Sequence, residues 1–204
     1  MRARAASQIG RDRSGRGLHT SFPTRFTRTA ALFIRKTMTT IPLPLLGQVA
    51  FPDAEAPDWW HEADSPLGRL RIDFHTHAGL AIDSVAAQAI PALSDVGALD
   101  ASARAGIRAD FASGERARSW RFLEYHLDEC STDELAACFG TGVAQEIGVD
   151  QLLAALRLLR IGFYWESDDT YMVLDYKLAD MASDQIIVVY AGLDGAVTSV
   201  QMES

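Results

Sequence analysis

Four segments near the C-terminus decide the fold: Arg160-Ile-Gly-Phe-Tyr-Trp-Glu166, Thr170-Tyr-Met-Val-Leu-Asp-Tyr-Lys177, Gln185-Ile-Ile-Val-Val-Tyr-Ala191 and Ala196-Val-Thr-Ser-Val-Gln-Met202. In the first, Ile161, Phe163 and Trp165 share a face. In the second, Met172, Leu174 and Tyr176 lie opposite Tyr171, Val173 and Asp175. This period of two is the signature of a strand with distinct faces. The third segment is apolar on both faces, as a central strand is. Ser167-Asp-Asp169 and Asp194-Gly195 are turn signals, and residues 178–183 form the remaining connection. Links this short force antiparallel pairing, because a parallel crossover needs a dozen or more residues. A four-strand antiparallel meander follows.

Upstream the period changes to that of helices. Leu152, Leu153, Leu156 and Leu159 make one stripe over residues 151–159, with Asp150 as N-cap. Ser131-Thr-Asp-Glu134 has capping-box spacing and opens a helix that runs to Phe139. Residues 118–127 read as helical. Ala103, Ile107 and Phe111 line a helix over 101–112, capped by Asp100 and closed near Gly114. Val85, Ala89, Ile90 and Leu93 fit another, with Ser84 as cap and Pro91 as its end or kink. Before the helices, Leu70, Ile72 and Phe74 alternate with Arg69, Arg71, Asp73 and His75 in a half-buried strand. Residues 53–66 read as a loop that contains Trp59-Trp60, and 46–51 as an edge strand. The order is two strands, four helices, then the meander. The fold class is α+β, an antiparallel sheet with helices packed on one face.

Charge divides the chain. Of 19 basic and 27 acidic side chains, residues 1–37 hold nine and one, or +8, which leaves −16 for the remaining 167 residues. The reading is a basic, disordered leader over 1–37 and a single domain over 38–204. Met38-Thr-Thr-Ile reads as a fresh start, so the leader is consistent with a mis-assigned start codon; a transit peptide or a nucleic-acid arm are its alternatives. An acidic domain repels phosphate, so nucleic acid is not an expected partner of 38–204, whereas a basic protein is. No apolar run approaches the ~20 residues of a membrane span. Cys130 and Cys138 have no metal or redox spacing, and without a secretion signal they fit a reducing cytoplasm.

One motif carries chemistry. Ile72-Asp-Phe-His75-Thr-His77-Ala-Gly79 resembles the opening Asp-x-His-x-His of the amidohydrolase and related metal-dependent hydrolase superfamilies. That resemblance would imply a (β/α) barrel, a metal-activated water and further ligands on later strands. The rest of the chain opposes it: such barrels need about 250 residues in βα units, and His126 is the one later histidine. A zinc site of His75, His77 and His126 is the form left open. Exposed histidines at a strand end are the plainer reading, and no cofactor is expected. Cys130 lies one helical turn after His126, a spacing at which a thiol and a base can meet. Asp168-Asp169 reads as a turn, the acids at 124, 128, 129, 133 and 134 as a solvated helix face, and Trp59-Trp60 as a pair over the core edge or a binding anchor. Gly140-Thr-Gly142 is too short for a phosphate loop, and there is no Gly-x-Ser-x-Gly elbow.

The C-terminal strands show a second likeness. Phe163-Tyr-Trp165, an acidic turn, Val173-Leu-Asp-Tyr176, Ser183-Asp-Gln-Ile-Ile-Val-Val189, Asp194-Gly195 and Met202-Glu-Ser204 resemble the bacterial domain-of-unknown-function family 2004. The resemblance covers residues 160–204 and implies a small cytosolic protein with no established activity and no catalytic residues to carry over. Asp175, Asp184 and Glu203 are its family-like polar positions. The expectation is an uncharacterised acidic protein that acts by protein binding rather than catalysis. Immunity-type neutralisation of a basic toxin or nuclease is one concrete form. The alternatives are a metal-dependent hydrolase using His75 and His77, and a nucleic-acid-associated protein using the leader.

Overall fold

The computed structural model describes residues 39–51, 58–76, 80, 82–166 and 170–204. The expectations for the leader, Met38, His77, Asp168 and Asp169 lie outside these residues. A hairpin comes first, β1 (Thr39–Leu43) with β2 (Gly47–Phe51), paired antiparallel. The main sheet has six strands in chain order: β3 (Asp58–Ser65), β4 (Gly68–Thr76), β5 (Leu156–Trp165), β6 (Thr170–Leu178), β7 (Ile186–Ala191) and β8 (Val197–Glu203). Five helices separate β4 from β5: α1 (Ile82–Ser94), α2 (Val96–Ala112), α3 (Arg118–Glu129), α4 (Thr132–Phe139) and α5 (Val149–Ala155).

The expected meander is β5 to β8, antiparallel throughout. β4 and β5, by contrast, pair in parallel, with Asp73 beside Gly162 and Phe74 beside Phe163. The helical excursion supplies the long crossover that such pairing needs. β3 corrects the reading of 53–66 as a loop. It is an edge strand, Asp58-Trp-Trp-His-Glu-Ala-Asp-Ser65, with Trp59 and Ala63 set among polar residues, and pairing with β4 makes it a strand despite its weak apolar alternation.

Three helix starts also differ from expectation. α1 begins at Ile82, so Ser84, read as its cap, lies inside the helix, which runs through Pro91 to Ser94. α2 begins one turn early, at Asp95, whose side chain accepts the Ala98 N–H at 2.9 Å. Asp100, read as the cap, is instead buried inside the helix. It accepts the Tyr176 hydroxyl at 2.8 Å and Arg104 Nε at 2.7 Å. Arg104 then reaches the carbonyl of Leu153, left without a helical partner in the last turn of α5, and that of Leu156, where β5 begins. Asp150 does not cap α5 and instead pairs with Arg108 at 2.6 Å. The helix ends at Ala155, so Leu156 and Leu158 are buried in β5 while Leu159 faces solvent. The capping box of α4 forms as read, with Ser131 and Glu134 bonded reciprocally and Gly140 left-handed at the end.

All five helices lie on one face of the sheet. Leu70, Ile72 and Phe74 of β4, Ile161, Phe163 and Trp165 of β5, and Met172, Leu174 and Tyr176 of β6 point into that layer and are buried. From the helices come Val85, Ala89, Leu93, Leu99, Ala103, Ile107, Phe122 and Leu152. Each large apolar side chain so placed contributes about 1.5–3 kcal/mol. Gly106 lets α2 approach β8, since a Cβ there would meet Val197 at 2.7 Å. No described helix is long and apolar enough to cross a membrane.

Candidate functional site

The sheet separates the histidines. His75 stands on the face away from the helices, stacked on Tyr164 with ring centroids 4.3 Å apart, its Nε2 4.0 Å from Asp73 Oδ2. His126 is on α3, in the helical layer, and is 1% exposed. The structure therefore does not bring His75 and His126 together. Among the described residues no group of three or more His, Cys, Asp or Glu side chains is placed to hold a metal. The tryptophans part in the same way. Trp59 packs on Phe51 and Phe74 in the core edge, whereas Trp60 is 56% exposed with the Arg71 guanidinium 5.0 Å from its ring centre.

On the helix-free face, strand pairing assembles a charged cluster. Asp73, 2% exposed, accepts Arg71 Nε at 2.7 Å and Arg160 Nε from the parallel neighbour β5. Arg160 Nη1 donates to Asp175 Oδ2 at 2.7 Å, and Nη2 donates to the Tyr164 hydroxyl. Burial alone would lower the Arg160 pKa, but Asp175 and Asp73 raise it above the ordinary value. Asp175 Oδ1 is buried and meets no hydrogen-bond donor among the described residues. Gly162 makes room for this arrangement. A Cβ there would meet Tyr164 Cε2 at 2.8 Å and Arg160 Nη2 at 2.9 Å. Beside the cluster, Tyr164 and Tyr171 stack at 5.1 Å, and Tyr190 follows at 6.1 Å. Burial and the Glu166 carboxylate, which accepts its hydroxyl, push Tyr171 up to about 12. The cluster is a tightly tied set of pairs, with its acids and bases matched.

The other constellation lies where α3, α4 and the β6–β7 connection meet. His126 Nδ1 is 2.7 Å from the Phe122 carbonyl oxygen, and Nε2 is 2.9 Å from Ser183 Oγ. A carbonyl only accepts, so Nδ1 carries the proton and the neutral ring presents the Nε2 lone pair to the serine hydroxyl. Ser183 Oγ also accepts the Gln185 N–H at 3.1 Å. Burial lowers the His126 pKa, while the Phe122 carbonyl and the Asp184 charge act in the opposite direction. The Cys130–His126 pairing read from spacing does not form. Cys130 Sγ points to Met181 Sδ at 3.3 Å, and burial together with Glu134 and Glu129 raises its pKa, which disfavours the thiolate.

A cavity of about 360 Å³ opens on His126 and Ser183. Glu129, Glu134 and Asp184 line it, Tyr125 stands at its side 39% exposed, and no Lys or Arg contributes to its wall. The acids read as a solvated helix face are exposed at 124, 128, 129, 133 and 134, and this cavity lies among them. Ser183 belongs to the C-terminal pattern Ser183-Asp-Gln-Ile-Ile-Val-Val189, but nothing in the sequence connects it to His126. The one available signal was a serine two residues before an apolar strand, which is also the mark of an ordinary turn. Comparison with known proteins found no similarity: no family model, no curated protein and no solved structure matches the chain.

Proposed function

We propose that the protein acts by binding a basic partner protein, docked on the acidic end formed by α3, α4 and the β6–β7 connection. The observation that carries this reading is the cavity wall: three carboxylates, an exposed tyrosine and no Lys or Arg to offset them. A lysine or arginine side chain entering there meets Glu129, Glu134 and Asp184, with the Tyr125 ring alongside for a cation–π contact. The −16 balance of residues 38–204 steers a cationic protein toward the domain at long range. Neutralisation of a basic toxin or nuclease is the concrete form we favour. The helix-free sheet face supports the reading less well, because its charges are already paired with one another. The likeness to family 2004 rests on the C-terminal strands and adds no activity.

The test is a pull-down from native lysate with the wild-type chain and with Glu129→Gln/Asp184→Asn. A stoichiometric basic protein, captured by the wild type, released by salt and absent from the variant, supports the reading. Capture of nothing, or of the same proteins by both chains, defeats it.

A further inference from the structure

We infer that Ser183 is a nucleophile held ready by His126, in a cavity suited to esters that carry a positive charge. Three features place it. The hydroxyl donates to a ring nitrogen at 2.9 Å, the separation at which a base takes a proton as attack begins. The ring is oriented by a third group, the Phe122 carbonyl, which fixes the tautomer with Nε2 unprotonated. Ser183 is partly exposed at the cavity, and His126 lines the wall behind it with Nε2 toward the serine oxygen, so substrate meets the hydroxyl first and the Nε2 edge beside it. The N–H of Asp184, next in the chain, donates to no described residue and is left open to a developing oxyanion.

The chemistry is acyl transfer. Ser183 Oγ bonds to the ester carbonyl carbon as its proton passes to His126 Nε2. The tetrahedral species collapses, the ester C–O bond breaks, and His126 returns the proton to the departing alcohol. Water then attacks the acyl-serine by the same route and releases the acid. The imidazolium formed on the way keeps its Nδ1–H bond to Phe122 and lies near the Asp184 carboxylate, which favours the charge. Preference for a cationic ester rests on the acidic-cavity reading above, but the nucleophilic hydroxyl does not.

The full chain is treated with a fluorophosphonate, which Ser183 attacks at phosphorus with loss of fluoride, and the site is located by mass spectrometry of peptides. An adduct on Ser183, absent from Ser183→Ala, is the expected result. A folded wild-type chain without that adduct overturns the proposal. Because replacing His126 removes a buried ring, the base is tested by pH in the wild type. The groups facing it are Tyr125, Glu129 and Cys130 of α3, Glu134 of α4, and Asp184. Labelling slows as pH falls through the folded-state pKa of His126, which burial holds below that of free imidazole; a flat profile on the acid side removes His126 from the role. 4-Nitrophenyl 4-guanidinobenzoate should release nitrophenolate in a burst about tenfold faster than 4-nitrophenyl acetate, a difference of the size one well-placed charge contributes. Equal bursts leave the nucleophile standing and remove the charge preference together with the acidic-cavity reading. No burst from either ester overturns the nucleophile.

Discussion

Arg160 on β5 donates through Nη1 to Asp175 Oδ2 on β6 at 2.7 Å, straight across the ladder in which the two residues are paired. The same guanidinium turns back to Asp73 on β4, so one side chain ties together three strands on the helix-free face of the sheet. Both carboxylates are buried. Each depends on Arg160 to offset the cost of leaving water.

Arg160→Ala leaves those carboxylates with reduced compensation. Breaking a buried pair costs about 3–5 kcal/mol, and the partial exposure of Arg160 puts this case at the lower end. Urea denaturation measures it. Asp73→Asn/Asp175→Asn in the Arg160→Ala background should recover much of the loss, because no stranded charge remains. Failure to recover would show that the pairing is not the source of the loss.

Gly162→Ala places a methyl between Tyr164 and Arg160 at under 3 Å from each. Overpacking of this kind costs about 1–3 kcal/mol. The Tyr164→Ser background removes one of the two crowded neighbours, so the same substitution should cost less there. Equal costs in both backgrounds would point to the backbone rather than to crowding.

Tyr176→Phe deletes the hydroxyl that donates to Asp100 at 2.8 Å in the core. Asp100 keeps Arg104, so the expected loss is about 1–2 kcal/mol, the cost of one buried acceptor left short of a donor. Arg104→Met should cost more, since it also strips the Leu153 and Leu156 carbonyls of their donors. Thermal unfolding that ranks the two variants the other way would contradict this arrangement.

His126 makes stability depend on pH on the acidic side of neutrality. Burial holds its folded pKa below the unfolded value of about 6.5. Below about 6.5 the unfolded chain therefore binds the additional proton, and stability falls with pH until the folded pKa is passed. The urea midpoint of the wild type should drop between about pH 7 and 5.5, above the range where most carboxylates titrate. His126→Asn should be less stable at neutral pH and show a flatter profile there. A wild-type midpoint unchanged over that interval would sink the prediction.

Both cysteines should alkylate slowly in the folded chain. Burial raises the pKa of Cys130, with Glu134 and Glu129 adding to the effect, and burial likewise raises that of Cys138. The thiolate is the reactive form. Reaction with iodoacetamide at neutral pH should be slower in the native chain than in urea, because the raised pKa leaves less thiolate. Equal rates would restore Cys130 as a candidate nucleophile.

The features legible in the chain are local ones. Alternation over β4 to β6, turn residues such as Asp194-Gly195 and the Ser131–Glu134 box fix elements whose partners lie a few residues away. The antiparallel order of β5 to β8 follows because short links leave no other pairing. β3 stayed hidden because an edge strand facing water on one side needs little apolar alternation. The α5–β5 junction stayed hidden because Leu152, Leu153, Leu156 and Leu159 satisfy a helical stripe as well as a helix followed by a strand. The remaining contacts come from packing. Asp73 meets Arg160 only because β4 and β5 pair in parallel across 87 residues, and His126 meets Ser183 only because α3 packs beneath the β6–β7 connection 57 residues later. Such contacts depend on which apolar faces bury one another, and no residue's neighbours in the chain encode that choice.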